Sequence, residues 1–275
     1  MATRRDAATN LGALIRARQA APPPRAAPPR IDTAQTMNND ALILQDPTQG
    51  GAKAAQLILL LHGVGSNAQS MTDLGRAYAR VFPSAMVVAL NAPEPFMPGS
   101  PVQFAGRQWF SIHEVTEDNR PARVAAALPQ LEALVRDWQQ RSGVDAGGTA
   151  LVGFSQGAIM ALAAAMQPEP VTARTIAIAG RFATLPEAAP HENCTIHLLH
   201  GKTDAVMPYR HAIEGALRLK EFGADFTADV LPFVGHELHP DLVELAVEKL
   251  EKHIPARLWL KPGEGNDVGE DDPTR

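Results

Sequence analysis

Cysteine is nearly missing from this sequence. A single one, Cys194, excludes an internal disulfide framework and any cysteine-rich zinc site. Placed at the start of a predicted strand, it reads as a small buried hydrophobe. No run approaches the roughly 18 consecutive apolar residues of a membrane-spanning helix, so no stable membrane insertion is expected. Charge of one sign is not in excess either. Twenty-five basic against 30 acidic side chains leave −5, too mild a balance for the electrostatic footprint of a nucleic-acid binder. No internal repeat and no Pro/Gly-rich linker divides the middle of the chain.

What is present suits one large α/β domain: 275 residues, 45% hydrophobic and 20% charged, enough to bury a sizeable core. A cytoplasmic, single-domain protein is expected. The two ends differ from that core. Residues 1–36 hold six arginines (Arg4, Arg5, Arg16, Arg18, Arg25, Arg30), only Asp6 and Asp32 as acids, and two proline runs. Such a segment cannot bury enough apolar surface to offset its ordering entropy, so a disordered N-terminal extension is expected. It reads as upstream sequence ahead of a domain beginning near Met37. Its arginine-rich, acid-poor make-up also matches organelle transit peptides, and Arg4-Arg5 faintly suggests a twin-arginine signal; its one apolar stretch, Leu11 to Ile15, is short for an export signal. Residues 263–275, with five acids and one base, read as a disordered acidic tail. The domain therefore spans residues 37–262.

Within it, short β-rich runs alternate with longer helical patterns, which predicts a mostly parallel central sheet with helices on both faces. Leu57–Leu61 and Met86–Leu90 are continuous apolar runs of the kind a buried parallel strand requires. Further strands are expected at Thr149–Gly153, Thr175–Ala179, Thr195–Leu199 and Phe226–Leu231. Helices are expected over Ser70–Val81, Arg123–Arg141, Gln156–Met166, Tyr209–Phe222 and Asp241–Ile254. Pro129 falls inside the second of these, which must kink there or begin just before it. Asn91 to Trp109 is rich in Pro and Gly, and a loop that long inside a compact domain is usually functional or disordered.

The sharpest chemical signal is Gly153-Phe154-Ser155-Gln156-Gly157, a G-x-S-x-G between a predicted strand and a predicted helix. That context lifts a serine Oγ out of the sheet on a strained turn, with the free N–H groups of the following helix aimed at charge developing beside it. A nucleophilic serine needs a base and an orienting acid, in the chain order Ser, acid, His for a hydrolase of this architecture. His236 follows Gly235 in a loop after the last strand, at the same sheet edge as Ser155; His239, on the same loop, is the runner-up. His197 and His200 belong to a strand, His211 and His253 to helices, and His191 to a polar loop. For the acid, Asp204 in Gly201-Lys202-Thr203-Asp204 again follows a strand, although a turn Asp bonding its own backbone is the alternative there. Asp225 precedes a strand at the wrong edge and Asp229 lies within it. Ser155, Asp204 and His236 thus all fall at carboxyl ends of strands, where open α/β sheets put their sites. The oxyanion needs two donors. The N–H of Gln156 is one, and the turn Leu61-His62-Gly63-Val64-Gly65 suits the second. His62 itself precedes the serine and abuts a buried strand, so it reads as a packed, hydrogen-bonded histidine.

Five blocks in order, His62-Gly63-Val64-Gly65, Gly106-Arg107-Gln108-Trp109-Phe110, Gly153-Phe154-Ser155-Gln156-Gly157, His200-Gly201-Lys202-Thr203-Asp204 and Gly235-His236-Glu237, resemble the successive blocks of the phospholipase/carboxylesterase family of α/β-hydrolases. That family includes acyl-protein thioesterases and small bacterial cytoplasmic esterases. Gly106–Phe110 with the downstream Thr116-Glu117-Asp118-Asn119-Arg120 is most similar to the bacterial branch. The resemblance extends from Met37 to about Lys261. It implies an α/β-hydrolase fold, Ser155 as nucleophile, Asp204 and His236 as its partners, and the amides of Val64 and Gln156 as the oxyanion hole. Ala158 stands where thioesterases often carry a further glycine, and Ser66-Asn67 replaces a common Asp; both weaken an inference to protein thioesters.

The expected activity is cleavage of carboxylic esters with short to medium acyl chains through an acyl-enzyme, with no metal or cofactor. The expected partner is a small-molecule acyl ester or thioester. An acyl-thioesterase or lysophospholipase would use the same triad, and a lipase or peptidase would change only the substrate. Pro93 to Phe104 suits a pocket-lining loop better than the large apolar lid of a lipase. A catalytically silent binding module would be expected to have lost a triad member, and none is missing.

Overall fold

The computed structural model describes residues 37–38, 41–96 and 106–255. The expected extension and tail, and residues 97–104 of the Pro93–Phe104 loop, lie outside the described residues. The strands are β1 (Met37–Asn38), β2 (Ala41–Gln45), β3 (Gln56–Leu61), β4 (Ala85–Leu90), β5 (Glu94–Pro95), β6 (Arg107–Gln108), β7 (Thr149–Phe154), β8 (Arg174–Ile178), β9 (Thr195–Gly201) and β10 (Phe226–Leu231). The α-helices are α1 (Thr72–Val81), α2 (Arg120–Ser142), α3 (Gln156–Ala165), α4 (Arg210–Glu221) and α5 (Pro240–Lys252).

Eight strands form one sheet in the order β1-β2-β4-β3-β7-β8-β9-β10. From β4 across to β10 every pairing is parallel. The alternation along β3 shows why such strands must be apolar throughout. Leu57, Leu59 and Leu61 enter one core layer with residues of α2 and α3, while Ile58 and Leu60 enter the opposite layer with residues of α1 and α5. Helix α4 lies on the α3 side, where Ala212 and Leu219 pack with Leu162, Ile196 and Leu198.

Two local features differ from expectation. The edge strands β1 and β2 pair antiparallel, and β2 joins β4 antiparallel with a register shift between Ile43 and Gln45; no strand was assigned here from the sequence. The second concerns Pro129: of the two alternatives, a start just before it is excluded, because α2 runs 23 residues and contains it. Pro129 and Ala125 are both exposed. The carbonyl four residues back, which loses its N–H partner, is therefore on the face open to water.

The order of crossings positions the site. From β3 the chain steps to β4 on one side, then returns through α2 to β7 on the other and continues outward to β10. The sheet therefore reverses direction between β3 and β7. At such a switch point the loops leaving the carboxyl ends diverge and open a crevice. The His62–Ser66 turn after β3 and the Ser155 turn after β7 flank it.

Candidate active site

Ser155 stands between β7 and α3 with φ 52° and ψ −114°, a left-handed backbone in a residue that is not glycine. Such strain persists only where the surroundings over-determine it. Here the Ser155 N–H donates to Ile178 O at 3.0 Å, and its carbonyl receives the N–H groups of Ala158 and Ile159 at 3.0 and 3.2 Å. The flanking glycines are required by close approach. A Cβ on Gly153 would lie 2.3 Å from Gly157 O, and one on Gly157 would lie 2.2 Å from Leu61 O. Helix α3 therefore starts hard against β3 and β7. Its first N–H groups, beginning with Gln156, have no intrahelical carbonyl to bind.

The structure brings Ser155, His236 and Asp204 into one hydrogen-bonded chain. His236 Nε2 is 2.9 Å from Ser155 Oγ, and His236 Nδ1 is 2.7 Å from Asp204 Oδ2. A carboxylate can only accept, so Nδ1 carries the imidazole proton and Nε2 presents its lone pair to the serine. The His236 ring leans on Phe154, with centroids 5.1 Å apart. The Asp204 side chain is fully buried. Its Oδ1 accepts the N–H groups of Val206 and Met207 at 2.9 and 2.8 Å, while its Oδ2 faces His236 and, at 3.3 Å, His200 Nε2. One oxygen thus makes the backbone bonds of a turn Asp, and the other faces the histidine. His200 Nε2 also donates to Met207 O at 2.6 Å, and burial pushes its pKa down.

Val64 lies in the turn that passes over the serine: a Cβ on Gly63 would be 3.3 Å from Ser155 Cβ. The Gly65 N–H donates to Arg107 O at 2.9 Å and the Arg107 N–H to Ser66 O at 2.8 Å, which fixes the turn to β6. Arg107 in turn grips the carbonyls of Ala92 and Pro93 through its guanidinium. His62 is buried below. Its Nε2 accepts the Ala92 N–H at 3.1 Å, so Nδ1 donates to Gly63 O at 2.7 Å, and burial lowers its pKa to about 4. Both ring nitrogens are occupied by backbone.

The other histidines and acids weighed from the sequence have separate partners. His239 caps α5 by accepting the Asp241 N–H. Asp225 accepts from Thr195 Oγ1 at the amino edge of the sheet, and Asp229 pairs with Lys249. Sequence reasoning missed the side chain of Gln156, which joins two of the motif blocks. Its Oε1 accepts the Trp109 N–H at 2.8 Å and its Nε2 donates to Phe110 O at 2.7 Å. The Trp109 indole N–H closes the circuit onto His62 O at 2.9 Å. Nothing in the sequence pointed to this contact beyond the membership of both segments in the same set of resembling blocks. Among the described residues no cluster of three or more His, Cys, Asp or Glu side chains could hold a metal ion, and no helix is long and apolar enough to cross a membrane.

A mostly parallel sheet flanked by helices, with a serine on the strand-to-helix turn at its switch point, defines an α/β-hydrolase. The comparisons narrow the class. The profile of the phospholipase/carboxylesterase family matches residues 47–254, and the chain belongs to that family. It is 42% identical over 236 residues to the esterase YpfH of Escherichia coli, covering 86% of this chain and 98% of that protein. The crystal structure of the esterase PE8 superposes with a TM-score of 0.64 at 31% identity, covering 74% of this chain and 94% of that one. A carboxylesterase from Mesorhizobium loti shares the fold at 17% identity, with a TM-score of 0.62 over 78% of this chain and 94% of its own. The protein is a hydrolase of the carboxylesterase type.

Proposed function

We propose that the protein cleaves carboxylic esters of small molecules with short to medium acyl chains, by way of an acyl-enzyme on Ser155. The chain of hydrogen bonds from Ser155 through His236 to Asp204 carries this reading. His236 Nε2 takes the serine proton as Oγ attacks the ester carbonyl, and then delivers it to the leaving alcohol oxygen. Water repeats the sequence in reverse to release the acid. Asp204 holds the Nδ1 tautomer and faces the imidazolium while it exists. The N–H groups of Val64 and Gln156, from the two turns that flank the switch point, receive the oxyanion. The Gln156 side chain keeps the donor turn and the Trp109–Phe110 segment in register with the nucleophile. The intact relay supports an enzyme rather than a silent binding module.

The test is hydrolysis of a p-nitrophenyl ester series from acetate to palmitate, with Ser155→Ala alongside. Turnover is expected to peak at the short to medium chains and to fall by about 10⁴–10⁶ in kcat in the variant, the range known for removal of such a serine. Activity that survives the substitution, or that rises steadily towards palmitate, overturns the reading.

A further inference from the structure

The turn that carries Val64 leaves β3 at the buried His62 and reaches water at Gly65. Its own bond, Ser66 N–H to Gly63 O at 3.2 Å, does not use the Val64 N–H. The direction of that N–H is therefore set by the anchorage at the two ends of the turn. The leading end is pinned at His62, whose Nε2 accepts the Ala92 N–H at 3.1 Å. The trailing end is pinned by the main chain of Arg107, which accepts from Gly65 and donates to Ser66. Strand β6 runs hard against the turn there: a Cβ on Gly106 would lie 2.2 Å from Gly65 O.

The two anchors meet in one side chain. The Arg107 guanidinium donates through Nε to Ala92 O and through Nη2 to Pro93 O, the latter at 3.0 Å. The circuit is thereby closed. It runs from the Arg107 main chain to Gly65 and Ser66, back along the turn to His62, across to Ala92, and through the guanidinium to Arg107 again. Val64 lies on it. A planar fork reaches two successive carbonyls with charge-assisted bonds, which a lysine or an amide cannot match. Burial, and after it the Arg107 charge, keeps His62 neutral, and the circuit needs this because a protonated Nε2 could not accept from Ala92. We propose that Arg107 is a positioning residue for ester hydrolysis, its guanidinium setting the angle at which the Val64 N–H meets the oxyanion. This rests on the serine-esterase reading above and on Val64 as an oxyanion donor. Such a donor bonds the tetrahedral oxyanion better than the ground-state carbonyl, so misplacing it raises the barrier and leaves substrate binding alone.

The experiment measures kcat and KM for p-nitrophenyl acetate in the full-length wild type, Arg107→Gln and Arg107→Lys. Alongside, it measures the inhibition constant of a trifluoromethyl ketone, to which Ser155 adds to give a tetrahedral alkoxide. In Arg107→Gln, kcat should fall by about tenfold to a hundredfold, short of the 10²–10³ known for removing an oxyanion donor outright, with KM near its wild-type value. The ketone's inhibition constant should rise by the factor by which kcat/KM falls. Arg107→Lys keeps the charge without the fork and should lie between the two, and it carries the test if Arg107→Gln does not fold. An unchanged kcat in either folded variant, a loss confined to KM, or a lower kcat with ketone affinity intact overturns the positioning role while the hydrolase reading stands. Absence of any Ser155-dependent turnover in the wild type overturns that reading, and the positioning role with it.

Discussion

Replacing Asp204 by Asn tests the relay through proton position alone, since the two side chains have nearly the same shape. The buried carboxylate receives three donors, the N–H groups of Val206 and Met207 on Oδ1 and His236 Nδ1 on Oδ2, with His200 Nε2 3.3 Å from Oδ2 while giving its own proton to Met207 O. An amide has one accepting oxygen and one donating NH2. Turning the oxygen to the two backbone N–H groups satisfies both of them, and the opposite orientation leaves both facing a donor. The NH2 therefore points at His236 Nδ1, which must now accept, and the imidazole proton moves to Nε2. That nitrogen then donates to Ser155 Oγ and can no longer take its proton. The expected loss is about 10⁴-fold in kcat, the size known for the equivalent change in a serine protease and worth about 5 kcal/mol of transition-state stabilisation. The NH2 also replaces a carboxylate oxygen 3.3 Å from His200 Nε2, and one of its two N–H groups finds no acceptor there. That unsatisfied buried donor should lower stability by about 1–3 kcal/mol and the melting temperature by about 2–4 °C per kcal/mol. Ester turnover under saturating substrate, with a thermal melt of the same preparation, measures both. A folded variant that keeps more than about a tenth of wild-type kcat refutes the tautomer argument.

Two further predictions follow from buried groups. The folded protein keeps His62 neutral, with a pKa of about 4, and His197 neutral, with one of about 3, both first through burial, whereas the unfolded chain takes up these protons below the ordinary value of 6.5. Their contribution to stability is therefore complete above pH 6.5 and is lost as pH falls towards 4, by about 3 kcal/mol for His62. Urea midpoints at pH 7.5 and 4.5 should differ less in His62→Gln than in wild type, and an equal difference would refute the assignment. Gly153→Ala should be insoluble or destabilised by about 3 kcal/mol or more, because its Cβ would lie 2.3 Å from Gly157 O, a backbone atom that cannot step aside. A melting curve that overlays wild type would show that the two turns are looser than described.

Much of the architecture was legible in the chain. Continuous apolar runs such as Leu57–Leu61 marked strands buried on both faces, and the structure places strands there. What escaped had either weak local signatures or none. The antiparallel strand Ala41–Gln45 lies second from the sheet's edge, and a run of five residues with no helix after it does not mark a βαβ unit. Pro129 left a kink or a start just before it open until one knows that the carbonyl it orphans faces water and the helix contains it.

The site divides in the same way. Residue order and the punctuation of glycines located Ser155, Asp204 and His236 at strand ends, because a strand, a turn and a helix are written in nearest-neighbour chemistry. Which side chains then meet is a matter of strand order. Reversal of the sheet between β3 and β7 lays the His62–Ser66 turn against Ser155. The placement of β9 beside β8 and β10 gives Asp204 its histidines, and the path of the chain into α2 brings Glu117 to Arg181. Elements are determined by local sequence and its periodicity; the Asp204–His236, Glu117–Arg181 and Ser155–His236 contacts span 32, 64 and 81 residues and arise only when the layers pack.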